Sequence, residues 1–326
     1  MANPLLSAFK QTDRAVSKLY LRFFREKNAL IIFFFHGLAQ DSPEIASPVV
    51  EPSNVTTVRR FRQFVEYFLE RGYAFVSPDD LIAGLSPDQK YVMATFDDGY
   101  SNNQLILPVL KEFKIPVTLY ISTNHVKTNR SFWWDVLYRQ RAKSGASVDA
   151  IHLELELLKS KPYQEIEARV ADLFGESAFK PVGEIDRPMT PTELARLSQE
   201  KYVFIGNHTQ DHAILTNLNV ESINNQIAGA QNDLKQLVGF APSSIAYPNG
   251  RYNQAVLQVA RQVGLRIGLT VVGKKNNLPL NFSNGGSLEL ARFHLSNHAD
   301  LNYQCDLIRS DILIYPKLRA FVKKNG

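Results

Sequence analysis

Two adjacent carboxylates follow an apolar run near the first third of the chain. Asp97 and Asp98 come directly after residues 91–96 (YVMATF), and Gly99 follows them. An Asp-Gly pair is ordinary turn chemistry, so a solvated turn explains these residues when they are taken alone. A catalytic pair explains them as well, with one carboxylate holding a cation and its neighbour accepting a proton. The choice between these interpretations depends on the side chains found elsewhere in the sequence.

A second chemical signal follows another apolar run, residues 202–206 (YVFIG). His208 and His212 have the i, i+4 spacing that places two rings on one face if the chain turns helically. An HxxxH pair alone is a weak indication of a metal site. Here the pair follows a predicted strand, as Asp98 does, and the carboxyl ends of parallel strands meet at one mouth. We therefore expect these three side chains to meet.

An aspartate and two histidines form a nitrogen and oxygen ligand set. Such a set suits Zn²⁺, with Co²⁺, Ni²⁺, Fe²⁺ and Mn²⁺ as alternatives. Three protein ligands leave one position for water, which is typical of a catalytic site. Since neighbouring side chains at a strand end point in different directions, Asp98 is the predicted ligand and Asp97 the predicted base.

The elements that must position these residues repeat a short apolar run followed by a helical pattern. The predicted strands are 29–35, 73–76, 91–96, 116–121, 202–206, 244–247, 266–271 and 288–292. The predicted helices are 57–71, 103–113, 190–200, 220–238, 253–263 and 302–321. This alternation predicts a parallel sheet with helices outside, and about seven or eight units suit a closed or nearly closed barrel.

Two segments depart from this rhythm within what we predict to be a single catalytic domain, residues 1–326. Residues 125–188 predict a mostly helical insertion that carries Trp133 and Trp134. Adjacent helical residues cannot face one direction, so at least one tryptophan is expected in the core, and the other is a candidate sugar-stacking surface. Residues 1–28 predict an amphipathic helix packed on the body, with a helix lying on a membrane surface as the alternative.

Composition excludes several classes of protein. The chain has 326 residues, a formal net charge of +5 and one cysteine, which excludes an intrachain disulfide and a cysteine-based zinc site. Runs of Lys and Arg are short, so nucleic acid is not indicated. The apolar run 29–35 is far below the ~20 residues that span a bilayer, and no secretory signal pattern is present, so we expect a cytoplasmic protein. The positive charge favours a phosphate-bearing ligand, although an ordinary basic protein is equally compatible.

The motifs TFDDG (95–99) and HTQDH (208–212), in a β/α-repeat chain, resemble those of the polysaccharide deacetylases, also called NodB-homology deacetylases. The resemblance covers about residues 29–292, interrupted by the insertion. It implies an α/β fold, a distorted (β/α)7 barrel, and a divalent metal held by the aspartate and the two histidines predicted above. The implied reaction is hydrolysis of an N-acyl group, usually N-acetyl, on an amino sugar in a glycan, lipid-linked or nucleotide-linked substrate.

The resemblance also implies a binding turn for the oxyanion. AYPNG (246–250) is similar to the third motif of a subgroup with the form AYPxG, in which a backbone N–H binds the developing oxyanion. Tyr247 and Asn249 are therefore candidate oxyanion or substrate residues. Asn249 stands where tyrosine is usual, and Ala246 replaces an arginine that some members carry.

Three further residues acquire roles only through the resemblance. Arg292 matches an arginine that orients the base, and His294 is a candidate general acid for the leaving amine. His36 matches a histidine that many relatives carry near the metal, and an ordinary hydrogen-bonded core histidine explains it equally.

Competing functions remain at this stage. An O-acetyl esterase or a sugar N-deformylase would need the same ligands. A catalytically retired carbohydrate-binding protein is a different class, which the altered motif at Asn249 favours weakly. The base Asp97 beside a complete ligand set argues against that class, because binding alone needs no base.

Overall fold

The computed structural model describes residues 4–24, 26–40, 49–283, 286–297 and 299–310. The strands are β1 Ala29–Phe35, β2 Gly37–Ala39, β3 Val55–Thr57, β4 Tyr73–Phe75, β5 Lys90–Phe96, β6 Val117–Ile121, β7 Val203–Asn207, β8 Ser244–Ala246, β9 Ile267–Leu269, β10 Asn276–Asn277, β11 Ser287–Leu290 and β12 Arg292–His294. The helices are α1 Pro4–Phe23, α2 Val58–Leu69, α3 Pro78–Ala83, α4 Leu107–Phe113, α5 Thr123–Thr128, α6 Trp133–Lys143, α7 Val148–Leu158, α8 Tyr163–Phe174, α9 Pro191–Leu197, α10 Val220–Val238, α11 Gln254–Gln262 and α12 Leu301–Ser310.

The main sheet curls into a barrel. Its hydrogen-bonded order is β1-β5-β6-β7-β8-β9-β11, all parallel. Strand β12 follows β11 after Ala291 and pairs in parallel with β1, so the last strand segment contacts both ends of the sheet. The Asn276 side chain donates to the Ala291 carbonyl (2.9 Å) and accepts from its N–H (2.8 Å) at the joint. The predicted α/β barrel is confirmed as a nearly closed sheet.

Apolar side chains on both faces of the strands explain the buried sheet. Leu30, Ile32 and Met93 fill the interior of the barrel. The opposite face of β1 packs on α2, where the Phe33 and Phe64 rings meet edge to face at 5.0 Å. Strands buried on both faces read as continuous apolar runs, which is why β1 and β5 were predictable from sequence.

Local signals fix several helix ends. Thr190 and Glu193 form the expected capping box at the start of α9, and Gly239 ends α10 with a φ of 90°. The short strands β2, β3, β10 and β12 were not predicted, because two or three residues carry no periodicity. The predicted helix 302–321 begins as α12 at Leu301, and its part beyond residue 310 lies outside the described residues.

Helices α6, α7 and α8 pack around a cluster of their own. Its buried side chains are Trp133, Val136, Leu137, Tyr138, Ile151, Leu155, Ile166, Val170 and Phe179. A buried ion pair between Arg139 and Asp186 (2.8 Å) ties α6 to the chain segment that returns to the barrel. Asp186 also accepts from the N–H groups of Val182 (3.0 Å) and Gly183 (2.8 Å), so its charge is well compensated.

The first helix packs on the last described one. The Ser310 hydroxyl in α12 donates to the Ser17 hydroxyl of α1 at 3.1 Å, and both residues are buried. Leu19 and Phe23 of α1 and the following Phe24 are exposed. Across the described ranges, each helix falls short of the length or the hydropathy that a membrane span requires.

Candidate metal and catalytic site

The turn after β5 directs its two carboxylates differently. The Asp97 N–H donates to the Phe35 carbonyl at 2.9 Å, so this residue still follows the sheet. Asp98 has a φ of 77° and Gly99 a φ of 89°, both in the left-handed region. A non-glycine residue in this region costs free energy and is common at functional sites. The turn leaves both side chains at the mouth of the barrel, 4% and 2% exposed.

An irregular loop after β7 carries the two histidines. The buried Asn207 side chain accepts from the Thr209 N–H at 2.8 Å and donates to the Ile227 carbonyl at 3.0 Å. Thr209 and His212 have φ values of 66° and 52°, so the segment is not helical and the i, i+4 spacing does not act through a helix face. The loop nevertheless brings the His208 and His212 rings to a centroid distance of 4.8 Å.

The three potential ligand atoms lie within 4.8 Å of one another, and two of their separations suit a tetrahedral cation. Asp98 Oδ1 lies 3.4 Å from His208 Nε2 and 3.4 Å from His212 Nε2. Ligand atoms about 2.1 Å from a tetrahedral Zn²⁺ are roughly 3.4 Å apart, which agrees with both distances. Asp98 Oδ1 is buried without a hydrogen-bond partner, as expected of an atom that faces a cation.

The orientation of His208 and the protonation of His212 and Asp98 agree with this fit. Burial lowers the pKa of His208, but its contact with Asp98 and the nearby carboxylate charges outweigh burial, so the pKa is raised and a bound cation must displace a ring proton. His208 Nδ1 lies 2.8 Å from the Ala246 carbonyl, so a proton on Nδ1 leaves the Nε2 lone pair for a cation. Burial lowers the pKa of His212 to about 3, which keeps this imidazole neutral. Burial raises the pKa of Asp98, but the neighbouring histidines outweigh it and the pKa lies below its usual value. An ionised carboxylate and a neutral imidazole are the forms that bind metals.

Asp97 is held by a buried arginine instead. Arg292 Nη1 and Nη2 donate to Asp97 Oδ1 (2.8 Å) and Oδ2 (2.9 Å). The guanidinium also donates to the Thr270 carbonyl (3.0 Å) and the Thr95 hydroxyl (3.1 Å). Burial raises the pKa of Asp97, but the charge of Arg292 outweighs it, so the pKa is lowered. The predicted pairing of these two residues is present in the structure.

A cavity of about 470 Å³ opens above both carboxylates. Of the predicted site residues, those that line it are His36, Asp97, Asp98, His208, His212, Asn249 and Arg292. A volume of this size accommodates a small ligand. The sheet therefore gathers seven of the nine predicted residues around one space.

The two remaining residues lie elsewhere. The Tyr247 N–H donates to Leu269 (3.1 Å) and its hydroxyl to Leu288 (3.0 Å), so both donors are used within the barrel. This placement disagrees with a substrate contact for Tyr247. His294 lies beside Phe34, with ring centroids 5.3 Å apart, in a narrow crevice next to the main cavity. It does not face the reacting space.

Sequence reasoning missed the residues that support the histidine loop. Trp134 packs on His212 with ring centroids 4.5 Å apart, and its indole N–H donates to the Tyr100 hydroxyl at 3.1 Å. That hydroxyl donates to Asp135 Oδ2 at 2.7 Å. Both tryptophans contribute to the cavity wall, and Trp133, at 3% exposed, is also part of the core of α6–α8. Only the neighbouring acidic and aromatic residues in SFWWD hinted at this network.

Comparisons with known proteins agree with this architecture. Residues 84–268 match the polysaccharide deacetylase family, and the chain belongs to that family. The Bacillus subtilis protein YxkH, whose name places it among polysaccharide deacetylases, is 21% identical over 217 residues. That match covers 65% of this chain but only 57% of the length of YxkH.

Several solved structures share the fold. Streptococcus pyogenes deacetylase PplD, solved in complex with acetate, has a TM-score of 0.58 and 18% identity over 86% of this chain and 99% of PplD. IcaB from Ammonifex degensii has a TM-score of 0.56 and 18% identity over 87% of this chain and 98% of IcaB. A de-N-acetylase from Aggregatibacter actinomycetemcomitans reaches a TM-score of 0.56 at 14% identity, over 86% and 99% of the two chains.

Proposed function

We propose that this chain is a metal-dependent hydrolase that removes an N-acyl group, most often acetyl, from an amino sugar. One observation carries the proposal: the candidate ligands Asp98, His208 and His212 converge beside the Arg292-held carboxylate of Asp97 in one cavity. A binding protein has no use for a base beside a cation site. The AYPNG turn, the family match and the fold support the same activity.

The chain's own residues can perform the hydrolysis. A divalent cation held by Asp98, His208 and His212, Zn²⁺ by ligand type, would acidify water and polarise the acyl carbonyl. Asp97 accepts a proton from the attacking water. Its two bonds to Arg292 keep it ionised and fix its direction. Asn249, with a φ of 53° at the cavity wall, presents the turn that would bind the oxyanion.

The leaving amine must gain a proton, and two histidines compete for this role. His36 lines the cavity, and its buried Nδ1 has no hydrogen-bond partner among the described residues. His294 was the sequence prediction, but it lies in the neighbouring crevice. Comparison of the His36→Gln and His294→Gln variants separates them. The acid variant loses the alkaline limb of the pH profile for kcat/KM.

The decisive experiment is acyl release measured by mass spectrometry. The Zn²⁺-, Co²⁺- or Ni²⁺-loaded protein is offered N-acetyl, N-formyl and O-acetyl amino sugars, free, nucleotide-linked and lipid-linked. The Asp97→Asn variant should lose about 10²–10⁴-fold in rate, the usual contribution of a general base. Asp88→Asn is the matched control, because Asp88 is exposed just before β5, the strand whose far end carries Asp97.

Each outcome of this panel has a clear meaning. Metal-dependent loss of acetyl from nitrogen that disappears in Asp97→Asn supports the proposal. Loss of formyl alone, or of acetyl from oxygen alone, replaces it with a deformylase or an esterase. Bound metal without any acyl release would favour a carbohydrate-binding protein. A preference for the nucleotide- or lipid-linked sugars would support the phosphate-bearing substrate expected from the net charge of +5.

A further inference from the structure

Helix α7 lies over the same cavity as the reacting groups. His152, Glu156 and Lys159, on or just after this helix, line the cavity together with Asp97 and Asp98. The opposite side of α7 exposes Leu153 and Leu157, at 63% and 65%. The helix therefore has one side towards the site and another towards solvent, as a covering element must.

The first contact of α7 reaches the segment that follows β2. His152 Nε2 lies 2.8 Å from Glu51 Oε1, and the Ser53 hydroxyl donates to the same oxygen. Glu51 itself lines the cavity. Its segment is anchored to the barrel, because the Asn297 side chain donates to the Pro52 carbonyl at 3.3 Å. Glu51 and His152 thus approach each other at one side of the mouth, although His152 Nε2 has no hydrogen-bond partner among the described residues.

The second contact reaches the loops after β7 and β8. The Lys159 carbonyl, at the end of α7, accepts from Asn217 Nδ2 (3.1 Å) and Arg251 Nη1 (3.3 Å). Asn217 also donates to the Lys161 carbonyl at 3.0 Å. Capping of the last helical carbonyls by side chains satisfies groups that would otherwise need water. The far end of α7 is therefore fixed to loops that follow other strands.

These two contacts make α7 a bridge across part of the mouth. The helix runs from Val148 to Leu158, and its stretch from His152 to Lys159 is about 10 Å long, roughly the width of two strand spacings. One attachment is the segment just before β3, and the other is formed by the loops after β7 and β8. Strand β3 pairs with β2, which follows β1 in the chain, and β5 and β6 lie between β1 and β7 in the main sheet.

We infer that α7 limits the enzyme to terminal or single N-acyl sugars and excludes the internal residues of a glycan chain. The inference rests on the proposed function. An internal residue requires the glycan chain to leave the site in two directions. The Glu51–His152 and Lys159–Arg251 contacts obstruct the mouth at the two points where α7 meets the barrel loops. A terminal residue needs a single exit. The substrate is then a chain end or a sugar carried on one linked group.

The first test maps the position of deacetylation on N-acetylglucosamine oligomers, from the monosaccharide to the hexasaccharide, by tandem mass spectrometry. The wild type should deacetylate terminal residues only, at a rate independent of chain length. Glu51→Ala should raise the ratio of internal to terminal deacetylation about tenfold, since it removes one attachment. Glu165→Ala is the control, because it removes a carboxylate from an exposed pair with Lys161 at 3.9 Å. Internal deacetylation by the wild type would overturn the inference.

The second test needs no substrate and separates this inference from the proposed function. Amide hydrogen exchange in α7 should be slow in the wild type and about threefold or more faster in Glu51→Ala and in Asn217→Ala, but not in Glu165→Ala. Exchange that is equally fast in the wild type would show that α7 is not fixed, and would overturn the inference. Slow exchange without acyl release from any substrate would instead contradict the proposed function.

Discussion

The barrel mouth and the inserted helices meet at one cavity but are held in different ways. At the mouth, Arg292 and Asp97 are 195 positions apart in the sequence. The strands of the sheet bring them together, and they form two buried hydrogen bonds. Helices α6–α8 have their own core and join the barrel side of the cavity through separate polar contacts such as Glu51–His152 and Asn217–Lys159. The proposed chemistry thus depends mainly on the sheet, with Trp134 of α6 packed on His212, whereas the proposed limit on access depends on the contacts of α7.

Loss of a metal ligand should have the largest effect. Asp98→Asn removes the buried carboxylate charge between the two histidines, and metal affinity should fall by more than about 100-fold. Metal content measured by mass spectrometry should drop from one ion per chain towards zero, and activity should disappear with it. His125→Asn is the control, because His125 is also a buried histidine but its Nδ1 contacts the Arg130 carbonyl. Retention of metal by Asp98→Asn would contradict the ligand assignment.

Replacement of the guanidinium group that binds Asp97 should have the next largest effect. Arg292→Lys keeps the charge but cannot donate to both oxygens of Asp97, so we expect kcat to fall about 100-fold while bound metal is unchanged. Arg251→Lys, at an exposed rim position, should leave metal content and kcat near wild-type values. Equal loss of metal in Arg292→Lys would show that the arginine acts on the whole site and not on Asp97 alone.

A substitution within helices α6–α8 should test whether these helices and the barrel strands are stabilised separately. Arg139→Met leaves Asp186 buried and unpaired, which costs about 3–5 kcal/mol. Hydrogen exchange should accelerate in α6–α8 and not in β5 or β7, with metal still bound. The comparison fails if the strands open together with the insertion, because the two regions would then be one cooperative unit.

The smallest expected effect is acid-dependent and lies at the start of α9. Hydrogen bonds from Arg187 and Thr190 lower the pKa of Glu193 from 4.5 to about 2. The stabilisation is therefore present above about pH 4.5 and is lost as the pH falls towards about 2. Since the pair is partly solvated, Glu193→Gln should reduce the free energy of unfolding by under about 1 kcal/mol near neutral pH. Urea unfolding should show this difference shrinking as the medium is acidified; a difference that grows would contradict the assignment.

Sequence reasoning succeeded where a residue's neighbours in the chain determine its role. Asp98 and His208 each follow a long apolar strand, so their meeting at the mouth was predictable. His212 reaches the same place through an irregular loop. The dihedral angles of such a loop leave no periodic signal in the sequence. Contacts such as Glu51–His152 join distant polar residues without a pattern, and only the packed chain reveals them.

The position of Tyr247 and His294 shows a second limit. A motif resemblance gives the order of residues along a strand but not which donors the sheet already uses. The N–H and the hydroxyl of Tyr247 donate to the carbonyls of Leu269 and Leu288. His294 lies two residues beyond Arg292, yet it belongs to a different crevice.

The contact between Asn276 and Ala291 has a consequence for how the site forms during synthesis of the chain. The Asn276 side chain forms hydrogen bonds with the N–H and the carbonyl of Ala291. The next residue is Arg292, which donates to Asp97. A ribosome must therefore release most of the chain before Asp97 acquires its partner, because the two are 195 positions apart. Nascent and truncated chains would carry both aspartates and both histidines without Arg292, so we expect the proposed hydrolysis only after β12 pairs with β1.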